Sequence, residues 1–165
     1  MIIPFMLNET STHEGHLISD IWQLDSFWLE HNHKYIQWLF PIDTGTKFNK
    51  HAPVLSESDM EAFKNNPQLK LAQQKSLDLM VTFFGIERHS MDFKAAPGLN
   101  IKEHIWLKFG GHNHLRITRI IRSLALCDQQ DLAKAFQQAM ISISKQHGDN
   151  INSTTKQYWV DALSV

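Results

Sequence analysis

Two apolar stripes in the last third of the chain, both spaced for α-helix, limit its fold more than any other feature. Ile117, Ile120, Ile121 and Leu124 recur at the i, i+3, i+4 interval, as do Leu132, Ala135, Phe136, Ala139, Met140 and Ile143. Side chains so spaced share one face, and a one-sided helix is stable only when another element covers that face. Asn113 is the expected cap of the first helix, Asp128 the cap of the second and Gly148 its stop. Ser153 or Thr154 is expected to open a last helix carrying Tyr158, Trp159, Ala162 and Leu163.

The same period runs through much of the earlier sequence. Ile18, Ile21, Trp22, Trp28 and Leu29 follow it, with Asp25 as a polar exception and Ser19 or Asp20 as the cap. Tyr35, Ile36, Leu39 and Phe40 continue it up to Pro41, giving two short helices or one bent one. Pro41, Gly45, Asn49 and Pro53 mark residues 41–55 as a loop, and Ser58-x-x-Glu61 reads as a capping box before Met60 and Phe63. Pro67 starts a longer helix with Leu69, Ala72, Ser76, Leu77, Met80, Phe83 and Phe84 inward and Gly85 near its end. No period-2 strand stands out. The expected fold is all-α: a compact array of six or seven helices, one irregular segment over about 88–111, and a single domain spanning 1–165.

Charge and cysteine content narrow the function. The 165 residues carry a net charge of -1, which excludes wholesale polyanion binding as the default. The longest uncharged apolar runs, Tyr35–Ile42 and Leu79–Ile86, fall far short of the ~20 residues that span a bilayer. The apolar start, Met1–Leu7, contains Pro4 and lacks a basic region, so no secretory leader is expected. Cys127 is the single cysteine, which excludes an intramolecular disulfide and fits a reducing, cytoplasmic setting. Ten histidines make solubility expected to improve below about pH 6.

One stretch concentrates positive charge. Arg116, Arg119 and Arg122 sit on one expected helix, and no acid occurs from His104 to Cys127. With Lys108, and with His104, His112 and His114 in reserve, they form an expected basic surface. The helix start nearby adds unpaired N–H groups, so His112, Asn113, Arg116 and Arg119 make a candidate anion site. The competing reading pairs these arginines with Glu9, Glu14, Asp20, Asp25 and Glu30, since residues 1–33 hold no Lys or Arg.

Other patterns lead to simpler readings. His-Asn-His occurs at His31–His33 and at His112–His114, but histidines two apart converge on a strand rather than a helix, so no metal or other cofactor is expected. Asp43-Thr44-Gly45 reads as an ordinary turn, not one half of an aspartic-protease pair. Cys127, on an apolar face with no adjacent His, reads as a buried thiol. In the dense group Trp22, Phe27, Trp28, Tyr35, Trp38 and Phe40, Trp38 is the candidate binding residue, because Ile36, Leu39 and Phe40 can cover the core without it.

Several of these segments together resemble the conserved domain of the opioid growth factor receptor family. The resemblance rests on His33-Lys34-Tyr35-Ile36-Gln37-Trp38-Leu39-Phe40-Pro41, then His51-Ala52-Pro53, Phe83-Phe84-Gly85-Ile86, and His112-Asn113-His114-Leu115-Arg116-Ile117-Thr118-Arg119-Ile120. It runs in order from about Trp22 to Trp159. It implies a binding protein that is not a seven-helix receptor. The vertebrate member is nuclear and perinuclear and binds Met-enkephalin. The leading expectation is therefore a non-enzymatic binding module for a peptide or small anion, with His33, Trp38, His112, Asn113, Arg116 and Arg119 as binding residues. A protein partner is compatible with it. In such a site an aromatic side chain stacks on Trp38 while a C-terminal carboxylate meets the arginines. The alternatives are nucleic-acid binding through the Arg116, Arg119 and Arg122 helix, and acid–base catalysis by His112 or His33.

Overall fold

The computed structural model describes residues 1–46, 49–148 and 151–165. In chain order these form α1 (Ile2–Met6), α2 (Ile18–Ile21), α3 (Ser26–His31), α4 (Ile36–Leu39), α5 (Glu57–Asn65) and α6 (Pro67–Phe83). Strands β1 (Ile86–His89) and β2 (Asp92–Ala95) follow, then a 3-10 turn at Ile105–Leu107, α7 (His112–Leu126), α8 (Gln130–His147) and α9 (Ser153–Asp161).

Helix α7 is the centre of the molecule, for the reason its stripe gives. Ile117, Ile120, Ile121 and Leu124 are each 0 % exposed, and α7 packs against both α8 and α9. Burying one such side chain contributes about 1.5–3 kcal/mol, so this stripe is a large share of the fold's stability. Phe136 and Met140 of α8 and Leu69, Leu77 and Met80 of α6 complete the same core. Pro67 opens α6 as expected, and the Asn66 side chain accepts the Gln68 N–H at 3.0 Å. Gly148 ends α8, where a Cβ would collide with the Ser144 carbonyl oxygen.

A buried polar thread ties the helices in register. Gln73 donates to the Ser123 hydroxyl at 2.9 Å, Ser123 donates to the Pro41 carbonyl at 2.6 Å, and Gln129 donates to Gln73 at 2.8 Å. Every member has a partner, which removes the desolvation penalty of burying it. Cys127 lies at the end of α7 beside this thread, buried as expected, and burial pushes its thiol up to about 12.

The all-α expectation is corrected by an antiparallel hairpin. Ile86 pairs with Ala95, Glu87 with Lys94, Arg88 with Phe93 and His89 with Asp92, so the hairpin starts two residues before the segment expected to be irregular and occupies its first part. Phe93 anchors it with its ring 5.7 Å from that of Phe136, and Arg88 reaches back to Asp78 at 2.6 Å. The helix count also rises. Nine α-helices form among the described residues, because α1 was not expected and because the stretch around Asp25 divides into α2 and α3.

Most of the expected caps shift by a few residues. Asp25 is no exception within a helix: its side chain accepts the Trp28 N–H at 3.1 Å and caps α3, while Asp20, inside α2, binds back to the Leu17 N–H at 2.9 Å. The reciprocal capping pair of α5 is Ser56 with Asp59, not Ser58 with Glu61. Asn152 caps α9 through the Thr155 N–H at 2.8 Å, ahead of Ser153 and Thr154. Asp128 sits in the left-handed region at φ 61°, one residue before the Gln129 boundary of α8. Asn113 lies inside α7, whose boundary residue is Gly111.

Residues 41–55 form the expected loop, of which 47–48 lie outside the described residues. Ile42 and Val54 make one parallel bridge, and the Leu55 N–H donates to the Ile42 carbonyl at 2.8 Å. Among the described residues no helix is long and apolar enough to cross a membrane.

Candidate functional site

The three arginines leave α7 at intervals of three, and each meets different ground. Arg116 turns inward and is only 4 % exposed. Its Nη1 donates to the Leu29 carbonyl at 2.6 Å and to Asn113 Oδ1 at 3.2 Å, and its Nη2 to the carbonyls of Asn32 at 3.0 Å and Glu30 at 3.4 Å. These carbonyls belong to the last turn of α3 and the residue after it, where no further helical N–H arrives to satisfy them. A guanidinium closes that end and complements its negative dipole. Tyr35 adds its hydroxyl to the Leu29 carbonyl at 2.6 Å, and Arg116 lies 5.4 Å over the Tyr35 ring. Burial raises the Tyr35 phenol well above its ordinary range.

Arg122 points the other way along the helix. It grips Asp43 through Nε at 3.1 Å and Nη2 at 2.9 Å, and its Nη1 donates to the Ser164 carbonyl at 3.3 Å. The turn at Asp43-Thr44-Gly45 thus supplies a structural carboxylate. The expected basic surface is corrected accordingly: Arg116 is internal, Arg122 is neutralised, and His114 is buried with Nε2 2.6 Å from the Trp106 carbonyl. Among the described residues none of the acids of residues 1–33 forms a direct ion pair with these arginines, although the Glu30 charge acts on Arg116 from nearby.

Arg119 lies between them in a different state. Nε donates to the Phe40 carbonyl at 2.8 Å, whereas Nη2 is buried with no hydrogen-bond partner among the described residues. Burial alone lowers this guanidinium to about 10, so it stays charged at neutral pH. It faces a groove of about 690 Å³ between α4 and α7, with Ile36, Ile42, Leu115 and Thr118 on its walls. That volume lies in the range of small-molecule and peptide side-chain sites. An apolar groove holding a charge with unused donor capacity is suited to a carboxylate that brings apolar atoms with it.

His33, His112, Arg116 and Arg119 all line this groove. His33 and His112 meet edge to face, with ring centroids 4.7 Å apart. His112 Nε2 is 2.9 Å from Glu30 Oε1, within ion-pair reach but off the line needed for a hydrogen bond. Partial desolvation, then Arg116 and His112, hold the His33 imidazole below its ordinary range, with Glu30 opposing. Asn113 is buried and donates to both Glu30 oxygens, at 3.3 and 3.2 Å, so it serves as a strut between α3 and α7 and does not line the groove.

Trp38 is also placed elsewhere. It is 3 % exposed, and with Tyr35 it lines a separate cavity. Ile36 and Gln37, on the same short helix, line the groove. One ligand side chain stacked on Trp38 and a carboxylate at Arg119 therefore do not share one pocket. Leu115 was missed by the sequence reading. It is 68 % exposed and stands off the buried stripe of α7, and that isolated apolar residue on a polar face was the available signal.

Comparison with known proteins supports the resemblance over nearly the whole chain. The profile of the opioid growth factor receptor conserved region matches residues 3–164. Opioid growth factor receptor-like protein 1 of Xenopus tropicalis is 33 % identical over 164 residues, which cover 96 % of this chain and 31 % of that protein. The opioid growth factor receptor of Mus musculus is 38 % identical over 117 residues, or 67 % of this chain and 18 % of that receptor. The chain spans less than a third of the length of these relatives. No solved structure matches it. The order of the segments, the profile and the relatives agree, and the chain belongs to the opioid growth factor receptor family.

Proposed function

We propose that this chain is a non-enzymatic binding module whose groove between α4 and α7 takes the carboxylate of a peptide or a small organic acid. The observation that carries the reading is Arg119 Nη2, a charged donor without a partner in a mostly apolar groove. Relatives named as receptors make a ligand-binding role the natural one. The arginines act as hydrogen-bond donors to backbone and carboxylate, and the one thiol is buried, which favours binding over catalysis. A cytoplasmic setting belongs to the same proposal, on the strength of that lone thiol. Nucleic-acid binding has lost support, since Arg116 and Arg122 are already engaged.

The test is calorimetric titration with short apolar peptides bearing a free C-terminal carboxylate, each beside its amidated twin. Wild type is expected to bind the free acids, with amidation weakening them at least tenfold. Arg119→Met is expected to remove the difference while the protein stays folded. Equal affinity for acid and amide would sink the reading. Affinity for an oligonucleotide that falls steeply with salt, by about 0.9 log units per log unit for each phosphate neutralised, would favour the alternative.

A further inference from the structure

Tryptophan side chains that are buried almost always find an acceptor for the indole N–H. Three here do so: Trp22 donates to the Ser76 hydroxyl at 2.9 Å, Trp106 to the Phe84 carbonyl at 2.8 Å and Trp159 to the His114 carbonyl at 3.2 Å. Trp28 is 55 % exposed and so is not a buried case. Trp38 stands apart, because its Nε1 is buried and has no acceptor among the described residues.

Trp38 is also part of the wall of a partly open pocket of about 240 Å³, formed with Ile21, Leu24, Trp28 and Tyr35. A dry protein cavity of about 150 Å³ holds benzene, so this one has room for a ring and a short substituent. Three of the other polar groups around it already have partners. The Tyr35 hydroxyl is held by the Leu29 carbonyl, the Thr12 hydroxyl accepts the Glu14 and His16 N–H groups, and Asp20 accepts from Leu17. The Trp38 ring has aromatic neighbours as well, with Phe5 tilted at 5.2 Å and His13 stacked at 6.3 Å. The unmet need of Trp38 is an acceptor for its N–H, which disfavours a cation as the occupant. At the mouth, Glu14 and Asp20 stand near Lys34 and His16, a mixed set that does not select an ion of either sign.

We propose that this cavity is a second binding site, for a compact uncharged ring-sized molecule whose single hydrogen-bond acceptor takes the Trp38 indole N–H. The occupant completes a polar group that the fold leaves unpaired, and the apolar walls bury the rest. The site is independent of the groove at Arg119.

Acetophenone and ethylbenzene, nearly isosteric, separate the acceptor from the ring. They are titrated into 15N-labelled protein while the indole N–H signals are followed, with the Trp38 signal assigned by its loss in Trp38→Phe. Acetophenone is expected to move that signal in a saturable way and to bind about fivefold more tightly than ethylbenzene, the ratio one neutral hydrogen bond supplies. Leu24→Trp, which fills the cavity from its wall, is expected to abolish both effects in protein that keeps its other indole signals. Equal affinity for the two probes, shifts confined to Leu115 and Arg119, or no binding of acetophenone would each overturn the proposal.

Discussion

Arg116 and Arg119 leave the same helix three residues apart, yet two successive turns of α7 use the same side chain in opposite ways. Around Arg116 the end of α3 presents the carbonyls of Leu29, Glu30 and Asn32 together, and Asn113 adds a fourth acceptor. Around Arg119 the end of α4 presents one, from Phe40. A guanidinium has five N–H donors. Where acceptors are plentiful it becomes a clamp, and where they are scarce the surplus donor capacity is what a ligand can use. The difference lies in the two short helices that end against α7, not in α7 itself.

The largest expected effect sharpens this contrast. Arg116→Met keeps the apolar stem but strands several backbone carbonyls, and urea unfolding is expected to show a loss of about 3 kcal/mol. Arg119→Met removes one hydrogen bond and one under-paired buried charge, and is expected to fall within about 0.5 kcal/mol of wild type. Similar losses for the two would break the comparison. The third arginine should fall between them. The Arg122–Asp43 grip is a partly exposed ion pair, and a double-mutant cycle with Arg122→Met and Asp43→Asn is expected to give a coupling of about 0.5–1 kcal/mol.

The smallest effect concerns pH. His33 is held below its ordinary range in the folded chain, by partial desolvation and by Arg116 and His112. Its neutral form is therefore favoured by folding, so the stability it contributes is present above about pH 6.5, the unfolded value, and is lost as pH falls below it. Melting temperatures at pH 7.5 and 5.5 are expected to differ less in His33→Gln than in wild type. An unchanged difference would show that the imidazole does not sense the arginine side of the groove.

The long helices were legible because their stripes are local: α6, α7 and α8 each span several turns, and Pro67 and Gly148 mark real boundaries. The hairpin was not. Its strands have four residues each, only Ile86 is fully buried, and its turn has Ser90 at φ 58° where an Asn-Gly pair would have been a signal. The caps misplaced by a few residues belong to segments where several Ser, Asp and Asn compete and tertiary packing chooses among them. At the candidate site, the shared face of His112, Arg116 and Arg119 follows from their spacing on α7, whereas the approach of His33 to His112 comes from tertiary packing that no local pattern announces. The division of labour among the arginines does not follow from spacing either, since their partners are mostly carbonyls, which every residue has. Trp38 shows the opposite error, an aromatic judged dispensable to the core that is 3 % exposed.

Cys127 gives the molecule a clock. It is the sole cysteine, fully buried where α7 gives way to α8, and burial pushes its thiol up to about 12. Thiolate is the form that reacts, so an alkylating reagent has almost nothing to attack until the core parts. Where reclosing is fast, the labelling rate reads the free energy of that opening, and with excess reagent it reads the opening rate itself. Any ligand that binds the closed core more tightly than the opened one will slow the clock, whichever pocket it occupies.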